Sequence, residues 1–267
     1  LVQRAASAEH CIFCSSDIYD EADVTVIPKL KEGFKMTEKE KQQAGELYNA
    51  ADKELVAERV KAKKLCVEFN AIEYNDYQKK ERMLDRLVAL RGENTWIEAN
   101  FFCDYGYNIV IGDNFYANHN MVILDCAEVV FGDNVFIGPN CGFYTAGHPL
   151  DYKVRNSGLE YAKPIKVGSN VWIGGNVCVM PGVTIGDNVV IAGGSVVCED
   201  IPSGVMAAGN PCKPVKKLPE SEIPDAPAEQ EKKEETKAEE KPAEKKPEAA
   251  VKPKKVRRVA GIEEIKR

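Results

Sequence analysis

Three histidines occur in the 267-residue chain, His10, His119 and His148, and one of them stands where an imidazole can do chemistry. His148 lies between Gly147 and Pro149 in the polar stretch TAGHPLDYKVRNSGLEYAK, where a histidine serving only to pack would find little apolar surface. Imidazole titrates near neutrality, so it can take the proton from a weakly acidic group as that group attacks an electrophile. One ring nitrogen must then face the proton while the other donates to an oxygen. Glu160, in RNSGLEY, is the nearest candidate to receive that second bond, the alternative being a solvated loop carboxylate. His119 falls within a repeat and reads as a corner or interface residue, and His10 lies in an unorganised opening segment.

Thiol and metal chemistry find less support. Cys11 and Cys14 form a lone C-x-x-C beside His10, half of a metal site with no second half elsewhere. The nine cysteines are an odd number, and seven are scattered singly through an apolar repeat, which reads as small reduced core residues rather than a disulfide framework. None has a paired histidine motif that would make it a nucleophile. A zinc site of three converging histidines would need more than His148 and His119, so no metal is expected.

The elements that must hold His148 announce themselves by an unusual period. Val167, Ile173, Val179, Ile185, Ile191 and Val197 follow one another at steps of six, and Val171, Val177, Val183 and Val189 form a second series with the same step. Neither a helix nor a half-buried strand repeats in this way. An inward aliphatic every six residues lets three short strands make one triangular turn, and the Gly that follows in Ile111-Gly112, Phe131-Gly132, Val167-Gly168 and Ile185-Gly186 supplies a corner. Stacking such turns buries a continuous apolar column that no single unit buries alone. The expectation is a mainly β chain built on a parallel β-helix over 93–218, interrupted by a catalytic loop at 145–164.

Before the repeats, 36–92 reads as a helical segment. Thr37 precedes Glu38 and Glu40 as an N-cap, and 52–69 and 77–90 carry apolar residues at helical spacing until Arg91-Gly92-Glu93-Asn94 breaks the pattern. Residues 1–35 read as a leader of unknown role. After Pro214 the chain turns almost entirely to Glu, Lys, Ala and Pro, so 219–267 reads as a disordered, charged tail. The formal net charge is −6, and no basic, aromatic-rich stripe crosses the apolar middle, which argues against nucleic acid. No apolar run approaches the 18 or so residues of a membrane span, so the reading is of a cytoplasmic protein with no membrane partner.

The segments IGDNFYANHNMVILDCAEV, YTAGHPLD, RNSGLEY, KPIKVGSNVWIGGNV, PGVTIGDNVVIAGGSVV and AAGNPCKPVK together resemble the maltose and galactoside O-acetyltransferases over 36–218. The resemblance implies a left-handed parallel β-helix with a short N-terminal helical cap, working as a homotrimer with sites between subunits. It implies transfer of acetyl from acetyl-CoA to a sugar hydroxyl, with His148 as base, no covalent acyl-enzyme, and Gly175 offering a backbone N–H to the developing oxyanion. It places the acceptor among Asn118, Tyr116, Asp104 and Arg59, and coenzyme A along Trp172, Gly193 and Cys198, with its phosphates near Lys213 and Lys216 or Lys217. Ala50 and Cys126 stand where the galactoside pattern has aspartates, and Asp52 and Asp125 are the nearby substitutes. A hexapeptide acetyltransferase for a non-sugar hydroxyl, and a noncatalytic trimeric scaffold, are the competing readings.

Overall fold

Residues 36–219 are described by a computed structural model. The leader with His10, Cys11 and Cys14, and the tail from 220 onward, lie outside the described residues.

Short strands stack into three parallel sheets that form the faces of a triangular solenoid. The first face holds Leu90–Arg91, Ile109–Ile111, Val129–Phe131, Ile165–Val167 and Thr184–Ile185. The second holds Trp96–Ile97, Tyr116–Ala117, Val135–Ile137, Val171–Ile173, Val190–Ile191 and Val205–Ala208, with Lys213–Lys217 added antiparallel at its end. The third holds Phe102–Cys103, Val122–Leu124, Gly142–Tyr144, Cys178–Val179 and Val196–Val197. The chain thus winds five complete coils and begins a sixth, the β-helix expected from the period of six. The two series that carry that period are buried without exception, each residue at 3% exposure or less. Each such side chain contributes about 1.5–3 kcal/mol by leaving water.

The Gly-Asp-Asn corners follow from stacking. A Cβ on Gly168 would come within 2.8 Å of the Gly186 carbonyl carbon in the next coil, so no side chain fits there. Asp113 Oδ1 accepts from Glu93 N–H (2.7 Å) and Asp133 Oδ1 accepts from Asp113 N–H (2.8 Å), satisfying donors that the corner frees from the sheets. Asn94, Asn114, Asn134, Asn170 and Asn188 all adopt positive φ, which asparagine tolerates better than most residues, and their amides hydrogen-bond from coil to coil.

One edge breaks the rule of six. Inward residues run Ile97, Cys103, Ile111, Ala117, Ile123, Phe131, Ile137 and Phe143, and the steps from Cys103 to Ile111 and from Ile123 to Phe131 are eight. Both long steps fall between the third face and the first, and in the next coil the same edge releases the whole excursion between Tyr144 and Ile165. That excursion is ordered. Ala146–Gly147 pairs with 161–162 of Leu159–Ala162, which pairs on its other side with Tyr48–Asn49, and the tip holds a short helix, Tyr152–Asn156, capped by Asp151.

The N-terminal segment folds over the first coil as helices α1 (Glu38–Gln43), α2 (Lys53–Asn70) and α3 (Tyr77–Leu87), α2 and α3 adding Cys66, Phe69, Met83, Leu84 and Leu87 to the solenoid core. Thr37 caps α1 in a full capping box, its hydroxyl accepting from Glu40 N–H while the Glu40 carboxylate accepts from Thr37 N–H. Asn70 closes α2 onto the first coil by donating to Phe101 O and accepting from Phe101 N–H, both at 2.9 Å. The second helical run stops earlier than its spacing suggests. Val88 is extended, and Leu90 pairs with Val110 as the first strand of the solenoid, because edge pairing satisfies backbone groups that another helical turn would leave over the open end. Cys66, read with the repeats, lies instead on α2, its sulfur 3.6 Å from that of Cys103.

Candidate functional site

His148 follows the strand Ala146–Gly147, so sheet pairing fixes its backbone while its side chain stays 53% exposed. Its Nδ1 lies 3.4 Å from the carbonyl oxygen of Leu159. A carbonyl can only accept, so this bond places the ring proton on Nδ1 and leaves the Nε2 lone pair free for a proton. Glu160, the carboxylate read from the sequence as the ring's partner, stands beside the other nitrogen. Its Oε1 stands 3.9 Å from Nε2, beyond hydrogen-bond length, and its Oε2 accepts from the hydroxyl of Tyr48 at 3.1 Å. The orienting oxygen is a backbone atom of the neighbouring residue.

Tyr48 is fully buried, and burial above all raises its pKa, so the phenol stays protonated and a donor. Its hydroxyl also meets Cys126, whose Sγ lies 3.7 Å from Asp104 Oδ2. Burial pushes the Cys126 thiol up to about 12, with Asp104 adding to the effect and Tyr48 opposing it, so the group is a thiol rather than a thiolate. Asp104 also faces Lys63 Nζ at 3.6 Å. Arg59 donates to the Tyr105 hydroxyl (2.6 Å) and to the Ala50 carbonyl, and it lies over the Tyr105 ring. Ala50 thus contributes by its backbone. Gln42 donates to the same Tyr105 hydroxyl at 3.2 Å.

Asp125 has a different part from the one suggested by sequence. Its carboxylate is fully buried, and it accepts from the N–H groups of Asp104 and Tyr105 through Oδ1 and of Gly106 through Oδ2, at 2.9, 2.8 and 2.6 Å. Burial nevertheless outweighs those bonds and pushes its pKa up to about 6. It shapes the eight-residue step that carries Asp104 and is out of reach of an acceptor. Asp52 caps α2 by accepting from Glu54 N–H at 2.9 Å and remains half-buried.

His148, Glu160, Asp104 and Arg59 therefore gather at the edge between the third and first faces, with Asp52 at the start of the helix that brings Arg59. Tyr116, Asn118, Trp172, Gly175 and Gly193 do not join them. Tyr116 and Trp172 point outward from the second face, in a column in which Trp96, Tyr116, Phe136 and Trp172 are successive strand partners. Phe136 and Trp172 are 51% and 58% exposed. Asn118, Gly175 and Gly193 occupy the edge between the second and third faces. There the N–H groups flanking Gly175 are engaged, Gly174 with Ile191 O and Asn176 with Pro139 O, each at 2.8 Å. Among the described residues, Gly175 N–H itself meets no backbone acceptor. Cys198 lies at a later corner of the edge between the third and first faces, Lys213 is paired with Glu199, and Lys216 and Lys217 are exposed on the terminal strand.

Sequence reasoning missed Tyr48, Tyr105, Lys63 and the Leu159 carbonyl. The two eight-residue steps are the signal that could have drawn attention to Tyr105.

Comparison with known proteins agrees with this architecture. Residues 41–90 match the maltose acetyltransferase hexapeptide capping motif, and residues 164–199 match the bacterial transferase hexapeptide (six repeats). The galactoside O-acetyltransferase of Escherichia coli (strain K12) is 44% identical over 179 residues, 67% of this chain and 88% of that one. The crystal structure of a maltose O-acetyltransferase from Clostridium difficile 630 is 51% identical and covers 69% of this chain and 99% of its own, with a TM-score of 0.68. A galactoside acetyltransferase solved in complex with coenzyme A is 43% identical, covers 69% of this chain and 92% of its own, and has a TM-score of 0.67. With the capping segment, the hexapeptide coils and the histidine-bearing excursion all in place, the chain belongs to the maltose and galactoside O-acetyltransferase family of hexapeptide-repeat acetyltransferases.

Proposed function

We propose that the chain transfers acetyl from acetyl-CoA to a hydroxyl of a small sugar by direct attack, in a crevice shared by two protomers of a trimer. The observation that carries this reading is the division of the candidate residues. The proton-accepting nitrogen sits on one edge of the solenoid, while the unengaged Gly175 N–H and the aromatic column sit around another. Two copies set edge to edge would unite the halves, and the exposed Phe136 and Trp172 suit such packing.

In the reaction, the acceptor oxygen forms a C–O bond with the thioester carbonyl carbon as Nε2 of His148 takes the hydroxyl proton. Gly175 N–H donates to the oxygen that becomes negative. Collapse breaks the C–S bond, and the proton passes from Nε2 to the departing thiolate, giving an acetyl ester and coenzyme A. The Leu159 carbonyl holds the ring through Nδ1–H and steadies the imidazolium that forms between the two transfers. Asp104 and Arg59, with Asn118 and Tyr116 from the facing protomer, supply the donors and acceptors that a sugar needs. Asp52 is a cap first and an acceptor contact only through its half-exposed carboxylate. Coenzyme A would run along Trp172, Gly193 and Cys198 toward Lys213 and Lys216, with Glu199 releasing Lys213, an exchange that costs little for an exposed pair. The seven described cysteines are all free thiols, which supports a reducing, cytoplasmic setting.

Transfer to a non-sugar hydroxyl is the second reading, favoured by the thiol of Cys126 and the bare Ala50 at the acceptor edge. A thiol-release assay over maltose, glucose, a galactoside, serine and a hydroxylated antibiotic decides between them. The sugar reading requires that a saccharide be turned over fastest, and faster release with serine or the antibiotic would replace it.

A further inference from the structure

Two oxygens compete for the ring of His148. The Leu159 carbonyl at Nδ1 favours the tautomer with a bare Nε2, the form able to accept a proton. The Glu160 carboxylate, 3.9 Å from Nε2, favours the opposite form, because a carboxylate that closed that gap would demand a proton on Nε2. Closing it takes a movement of about 1 Å. What opposes the movement is the Tyr48 hydroxyl, which donates to Glu160 Oε2 at 3.1 Å. Tyr48 cannot swing away, because it is fully buried and its strand pairs antiparallel with the strand of Leu159 and Glu160, Tyr48 directly opposite Glu160. Leu55, Tyr105, Cys126 and Ala162 pack with it in one cluster.

We propose that Tyr48 is a positioning residue whose hydrogen bond to Glu160 keeps the carboxylate off Nε2, so that His148 is held in its base-competent tautomer. This inference rests on His148 being the base, and it gives the N-terminal segment a part in the proton transfer made by a loop residue one hundred positions away. The donor never switches off in the working range, since burial keeps the phenol protonated.

The test compares Tyr48→Phe, Glu160→Ala and the double variant in the full chain, with ¹⁵N NMR of the His148 ring as the second readout. Tyr48→Phe keeps the ring and removes one donor, so the carboxylate is freed to capture Nε2. Its kcat should fall by about 10-fold or more, the scale of losing a residue that orients a reacting group, and the neutral ring should shift toward the Nε2–H form. Removing the carboxylate as well should return at least half of the lost turnover on a logarithmic scale and restore the Nδ1–H form. A packing defect would not be mended by a second truncation. The inference is overturned if the double variant is no faster than Tyr48→Phe, or if the tautomer is the same in both. If Tyr48→Phe does not fold, Glu160→Ala alone must keep the Nδ1–H tautomer, and a ring that becomes Nε2–H there overturns the inference equally. Loss of the underlying reading is distinguishable, because His148→Ala would then retain turnover whatever Tyr48 does.

Discussion

Asn134 Nδ2 donates to Asn170 Oδ1 at 3.2 Å, joining two coils between which the chain leaves the solenoid and returns. The asparagine ladder thus runs unbroken past the excursion that bears His148, so the frame and the chemistry-bearing loop are stabilised by separate sets of contacts. Asn170 holds φ at +59°, where a side chain with a plain Cβ is strained. Asn170→Ala should lower stability by about 1–2 kcal/mol, and Asn170→Gly should cost less despite losing the same amide. Chemical denaturation of both variants measures the difference, and equal losses would show that the ladder, not the backbone, sets the cost.

At Gly106 the backbone adopts φ +79°, and a Cβ there would fall 1.9 Å from the Leu87 carbonyl oxygen at the end of α3. Because the clash is with backbone and the conformation is itself unfavourable, Gly106→Ala should destabilise by several kcal/mol, on the order of 3 or more. The same change at Gly158, φ +85° with open space around it, should cost only the conformational part, about 1–2 kcal/mol. Thermal unfolding of the two variants in parallel gives the ranking.

The buried Asp125 carboxyl makes a signed prediction about pH. Its pKa rises from an ordinary 3.8 to about 6, so the unfolded chain ionises before the folded one as pH climbs. The contribution to stability is fully present below pH 4 and is lost through the window from about 4 to 6, by about 3 kcal/mol. The stability of the wild type relative to Asp125→Asn should therefore be greater at pH 4 than at pH 7.5. Unfolding curves at the two pH values check this, and a difference that grows with pH would contradict it.

Phe136 and Trp172 stand as neighbours in an outward column, more than half exposed in the single chain. Phe136→Glu should leave far-UV circular dichroism unchanged, because the side chain points away from the coil. It should break a trimer into smaller species by light scattering and reduce turnover at least tenfold. An unchanged mass with unchanged turnover would remove this face from the assembly.

The solenoid was legible because the buried aliphatics from Ile165 to Val197 repeat at six, a regularity that survives without knowledge of any contact. The helical cap was legible from Thr37 and from the apolar spacing of α2. His148 stood out because it interrupts the repeat. Tyr48 did not, since its burial arises from pairing with a strand more than one hundred residues later, and nothing local marks it. The partner of Nδ1 was illegible for another reason: a backbone carbonyl leaves no trace in residue type, so the carboxylate of Glu160 drew the attention that belonged to the atom beside it. Asp125 was misplaced because a polar residue at a corner reads as exposed until the three N–H groups it serves are seen.

Turnover by His148→Ala bears most directly on the account, because the half-exposed side chain can be removed with little effect on the frame. With acetyl-CoA and the best saccharide acceptor, kcat should fall by about 10²–10⁴-fold, the range for losing a general base, while coenzyme A affinity and the assembly stay as in the wild type. A variant that keeps turnover within a fewfold of the wild type would contradict the assignment of His148 as the base.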